Sequence, residues 1–131
     1  MRKFEFNKLI RNKLPDRMVS EGIVINGKSL SREEYSLKLK EKLLEEADEV
    51  AKSDSISSIT IELADVMEVV YALAENYQIP FELLELERLK KREANGPFDQ
   101  KTYVNYIEVP KDNKKVIEYL LDKNRHYNSL S

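Results

Sequence analysis

Two spacings of acidic residues could do chemistry in this chain: Glu46-x-x-Glu49 and Glu62-x-x-Asp65. Residues three apart share a helix face, so each pair would present two carboxylates side by side. A projection at about 100° per residue shows where they point. With Leu39 as origin, Tyr35, Leu43, Leu44, Ala47, Val50 and Ala51 cover an apolar arc from about −40° to about 140°. Glu46 falls near −20°, inside that arc, and Glu49 lies at its edge, while Glu45 and Asp48 face away. In the next segment Glu62 falls between Val69 and Leu73, with Asp65 at the border of the apolar face.

Carboxylates gathered in a partly buried place repel one another, and their desolvation is costly. Protonation, a Lys or Arg partner, or a divalent cation can each compensate. An all-oxygen, hard donor set suits Mg²⁺, with Mn²⁺ as the alternative. Spacing alone does not select among these, because Glu45/Asp48, Asp65/Glu68 and Glu82/Glu85 repeat it and read as solvated faces. Lys42 stands four residues before Glu46 and is placed to pair with it.

The elements that must position these acids are mostly helical. Pro15 opens a short helix reaching about Ser20, ended near Gly22. Ile23, Val24 and Ile25 read as a brief strand before an Asn26-Gly27 turn. Ser31 with Glu34 three residues on is a capping-box signal for a helix over about 32–52. The polar run SDSISS then breaks the chain and caps a third helix over about 57–77. Pro80 starts a fourth, closed by Asn95-Gly96-Pro97. The run TYVNYIEV, over about 102–109, reads as one strand. A last amphipathic helix spans about 111–126. The expectation is an all-α, antiparallel helix-hairpin bundle of four to five helices with one or two short strands, in a single domain over 1–131. The second and third helices form the hairpin.

Composition narrows the classes of function. The 131 residues suit one hydrophobic core. With 22 basic and 24 acidic residues the net charge is −2, which gives no general pull towards nucleic acid or an anionic membrane. There is no cysteine and one histidine, His126, so thiolate and histidine-based metal sites are not expected. No membrane-span or signal-peptide pattern is expected, and the chain reads as soluble and cytoplasmic. Tyr71 and Tyr77 read as packing residues and His126 as an exposed tail residue.

Glu46-x-x-Glu49, twelve intervening residues and Glu62-x-x-Asp65 resemble the ExxE…ExxD signature of the all-α nucleoside triphosphate pyrophosphohydrolases, the MazG superfamily. The contexts KLLEEADEV and ELADVMEVVYAL resemble the MazG type as well. FNKLIRNKLPDRM at the start and LKKREANGPF after the fourth helix are similar to a smaller, house-cleaning branch, so the resemblance covers about residues 6–108. That branch tends to carry an arginine before the glycine of the later motif. This chain has Asn95 there, and no phosphate contact is carried over to that position.

The resemblance implies Glu46, Glu49, Glu62 and Asp65 as catalytic Mg²⁺ ligands. It also implies hydrolysis of a nucleoside triphosphate to the monophosphate and pyrophosphate. Lys8, Arg11 and Lys13 at the start, and Lys91 at the end of the fourth helix, are the candidate substrate-binding cations, able to meet phosphate oxygens. A homodimer or homotetramer is expected. A phosphoribosyl-ATP pyrophosphohydrolase and a non-catalytic helical oligomerisation or regulatory module stand as alternatives.

Overall fold

The computed structural model describes all residues from Met1 to Ser131. Five α-helices run along the chain: α1 Leu14–Ser20, α2 Arg32–Lys52, α3 Ile56–Asn76, α4 Phe81–Asn95 and α5 Lys114–Leu121. A single 3₁₀ turn, Lys123–Arg125, follows α5. No helix is long and apolar enough to cross a membrane.

The helix ends are written in local chemistry. Pro15 sits in the first turn of α1, where its missing N–H would have no intrahelical acceptor anyway. Gly22 follows the helix at φ 82°, and the Ile23 amide donates back to Met18 O at 3.0 Å, satisfying a late carbonyl. At α2 both halves of the capping box form: Ser31 Oγ accepts from the Glu34 amide, and the Glu34 carboxylate accepts from the Ser31 amide. Ser55 caps α3 by accepting from the Ser58 amide at 3.1 Å. Gly96 at φ 83° ends α4.

The chain divides into two compact units, Met1–Ala94 and Asn95–Ser131. In the first, α2 and α3 are the long helices whose backbones pack together. They run antiparallel. Arg32, at the start of α2, donates to the Asn76 carbonyl at the end of α3. At the other end, Ser58 Oγ donates to Ser53 Oγ across the link. Leu39 from α2 and Val69 and Ala74 from α3 are the buried apolar residues. The buried face of α2 is narrower than its apolar arc: Leu39 is enclosed and Tyr35, Leu43 and Val50 are half-buried, whereas Ala47 and Ala51 are open and Leu44 is 73% exposed. Tyr71 packs on Phe81 with ring centroids 4.7 Å apart, joining the start of α4 to α3. In the second unit, Asn113 caps α5 by accepting from the Val116 amide.

The two expected strands do not form. Residues 23–25 and 102–109 have β-branched and aromatic composition but no hydrogen-bonded partner strand. A strand exists only as part of a ladder; these segments run singly, with Val24 and Tyr103 exposed. The last helix is also shorter than its periodicity suggests. Asp122 turns extended and its carboxylate accepts from the Asn124 amide, a local bond that competes with helix continuation.

Candidate metal centre

The acidic residues come from facing stretches of the hairpin. Glu46 lies on the inner side of α2, its side chain only 13% exposed. Glu62 and Asp65 lie on α3, half-buried and three residues apart. One oxygen of each of Glu46, Glu62 and Asp65 lies within 4.8 Å of the others. Three of the four expected ligands therefore converge. Glu49 is exposed and lies outside this group, although its charge still reaches Glu62.

The cluster carries its own electrostatic cost. Burial first, and then the negative charges of Asp65, Glu46 and Glu49, push the Glu62 carboxyl above the ordinary glutamate range. Both causes favour the protonated form. Local cations offset part of the rest. Arg11 donates to Asp65 Oδ1 at 2.7 Å, and Lys42 Nζ lies 3.6 Å from Glu46 Oε1, the pairing its spacing suggests. The guanidinium of Arg11 is 61% exposed, so its pair with Asp65 is an open one, worth about 0–1 kcal/mol. No cation is paired with Glu62.

The donor set fits a hard divalent ion. All three groups offer carboxylate oxygen and none offers nitrogen or sulfur. In an octahedral Mg²⁺ site adjacent oxygens stand about 3 Å apart and opposite ones about 4.2 Å, so oxygens spread over at most 4.8 Å would have to draw together to ligate one ion. An ion held there by Glu46, Glu62 and Asp65 would also remove the repulsion that raises Glu62.

The basic residues divide. Lys8 and Arg11 reach the hairpin, Lys8 through Glu45 at 3.0 Å and Arg11 through Asp65. Lys13 stands at the N-cap of α1 and forms no ion pair. Lys91 lies on α4, whose backbone packs against neither α2 nor α3, and it is likewise unpaired.

Glu45 is a neighbour that helical projection alone passes over. It bridges Lys8 and Lys42, at 3.0 and 3.4 Å, and the Lys8 hydrogen bond holds its carboxyl below the usual range. Glu45 faces away from the apolar arc, and the N-terminal segment crosses that flank. No periodicity within α2 could report that crossing; the one available signal was the run of cations near the start of the chain.

Comparisons with protein-family models, with curated proteins and with solved structures found no match.

Proposed function

We propose that this chain is a Mg²⁺-dependent nucleoside triphosphate pyrophosphohydrolase, converting a nucleoside triphosphate and water to the monophosphate and pyrophosphate in nucleotide-pool house-cleaning. The observation that carries the reading is the convergence of Glu46, Glu62 and Asp65 from two antiparallel helices with no in-chain cation on Glu62. Glu46, Glu62 and Asp65 would hold the ion, with Glu49, exposed one turn from Glu46, as the fourth proposed ligand. A bound divalent ion supplies charge neutralisation for the phosphate oxygens and a more acidic water. Arg11, already beside the acids, is placed to exchange Asp65 for a phosphate oxygen, and Lys8 adds a second positive charge on the same flank. Lys13 and Lys91 belong to the reading as outer phosphate contacts. Phosphoryl transfer asks mainly for such positioning and charge stabilisation. The reading includes a cytoplasmic location and a homodimer or homotetramer.

The test is pyrophosphate release from a panel of nucleoside triphosphates, with and without Mg²⁺. Release from at least one nucleotide, abolished by chelator, is the expected result. A second reading is favoured by one observation: Arg11 and Lys42 already neutralise part of the cluster. In that reading the acids are structural and the chain is a helical oligomerisation module. Absence of release across the panel, together with no thermal stabilisation by Mg²⁺, would select it.

A further inference from the structure

Two cations touch the acidic cluster, and they are held differently. Lys42 belongs to α2 itself, and its side chain is 22% exposed. Its Nζ lies 3.6 Å from Glu46 Oε1 and 3.4 Å from Glu45 Oε2. If Glu46 turns to another partner, Lys42 keeps Glu45. Arg11 comes from outside the hairpin, 54 residues before the acid it meets. Its guanidinium donates to Asp65 Oδ1 at 2.7 Å and forms no other ion pair.

The backbone that carries Arg11 is anchored on both sides. Before it, Lys8 Nζ lies 3.0 Å from Glu45 Oε1, and Leu9 and Ile10 are half-buried. After it, the Leu14 amide donates to the Arg11 carbonyl at 3.0 Å, in the turn that leads into α1. Between these anchors the side chain is 61% exposed. The guanidinium can therefore leave Asp65 by rotating about its own side-chain bonds, a motion of picoseconds to nanoseconds in exposed residues. The segment itself need not move.

Asp65 thus faces two claims. It is one of the three acids whose oxygens lie within 4.8 Å of one another, and it already holds a positive group at hydrogen-bond distance. Like charges at such separations repel, so a bare divalent ion gains Asp65 only by turning Arg11 out. Lys42 has a second carboxylate to fall back on; Arg11 has none. Once displaced, its strongest available partner is an anion that arrives with the metal. A guanidinium fork matches phosphate oxygens in pairs.

We propose that Arg11 couples the two halves of the ligand: on Asp65 it opposes the bare divalent ion, and off Asp65 it takes a phosphate oxygen, so the site selects a Mg²⁺–polyphosphate complex over Mg²⁺ alone. This rests on the ligand set of the reading above and adds a selection that a plain phosphate contact does not produce. Such coupling is reciprocal: the metal frees Arg11 for phosphate, and phosphate frees Asp65 for the metal.

The test reads binding on the full chain and needs no turnover. The unsubstituted chain, Arg11→Gln and Arg11→Lys are titrated calorimetrically with Mg²⁺ alone, and with inorganic pyrophosphate at a fixed free Mg²⁺. Low ionic strength keeps the exposed pair unscreened. Arg11→Gln should bind Mg²⁺ alone more tightly, by up to about fivefold, the release of one exposed pair. It should bind pyrophosphate with Mg²⁺ more weakly, by roughly tenfold or more, the loss of a charged hydrogen bond. Arg11→Lys, which keeps the charge and loses the fork, should fall between. Helical circular dichroism should be the same in all three. The opposite signs are the signature, since a merely structural Arg11 would weaken both ligands together. Affinities that move in the same direction, or a Mg²⁺ affinity that Arg11→Gln leaves unchanged, overturn the coupling while the metal ligands stand. A reversal of equal size in Lys42→Gln also overturns it, because any nearby positive charge would then suffice. Absence of Mg²⁺ binding by every chain overturns the coupling and the ligand set together.

Discussion

The two ends of the α2–α3 hairpin are built from the same helices yet resolve their polar groups differently. Where α2 begins and α3 ends, several polar side chains meet partners across the hairpin. Arg32 donates to the Asn76 carbonyl at 2.9 Å, Ser36 Oγ and Tyr77 Oη lie 2.6 Å apart, and Lys40 sits over the Tyr77 ring. Towards the link between the helices, three carboxylates face one another and one of them, Glu62, has no cation. The first arrangement closes on itself and serves the fold. The second leaves charge over, which a fold built only for stability would replace with apolar groups. In the proposed reading, that surplus of one sign at a partly enclosed place is where a ligand of the other sign would sit.

The largest effect that would break this contrast falls on the acidic end. Glu62→Gln should reduce Mg²⁺-dependent pyrophosphate release by about 100- to 1,000-fold, since losing several kcal/mol of charge stabilisation at about 1.4 kcal/mol per tenfold amounts to that. The helical circular dichroism should be unchanged; full activity in this variant would remove the acidic cluster from the chemistry. Next in size is the response to metal. At about 100 times its dissociation constant, Mg²⁺ should stabilise the protein by about 2.7 kcal/mol, seen as a rise in melting temperature that Glu62→Gln lacks.

The partnered end should answer only in stability. Tyr77→Phe removes the bond to Ser36 and should lower stability slightly in urea denaturation, with turnover unaltered. A turnover defect there would erase the distinction between the two ends. The smallest effect lies nearby, in the capping box. The hydrogen bond from Lys28, then those from the backbone and side chain of Ser31, hold the Glu34 carboxyl below the ordinary range. A depressed folded pKa contributes stability that is present above the unfolded value, about 4.3, and is lost as pH falls through the folded value. Glu34→Gln cannot titrate, so its stability should decline less than that of the unsubstituted chain over that acid window. Equal slopes in acid melts would show that the pairing is silent.

Much of this was legible in the sequence because it is local. Ser31 and Glu34, Pro15, and the SDSISS break fix helix ends through bonds between residues a few positions apart, and those ends fall where expected. The inward position of Glu46 followed from its phase among apolar residues. Strands at 23–25 and 102–109 failed because composition describes a residue's preference and says nothing of whether a neighbouring strand exists. The pairing of Arg11 with Asp65 joins residues 54 apart, and no pattern within either helix encodes it. Glu49, close in sequence and right in type, stays in solvent because its phase sits at the rim of the apolar arc.

The link Ser53-Asp54-Ser55 acts as a gauge. Ser53 closes α2 by donating its hydroxyl to the Glu49 carbonyl, receives the Ser58 hydroxyl, and stands two residues before the Ser55 cap. A residue added at the start of α3, after that anchored cap, would turn everything beyond it by about 100°. Glu62 would swing off the inner face, and Val69 and Ala74 would leave the core with it. Length tolerance in this molecule is therefore uneven: the unpaired stretch over 102–109 has no ladder for a change of length to break, whereas the first turn of α3 must keep its count for the acids to meet.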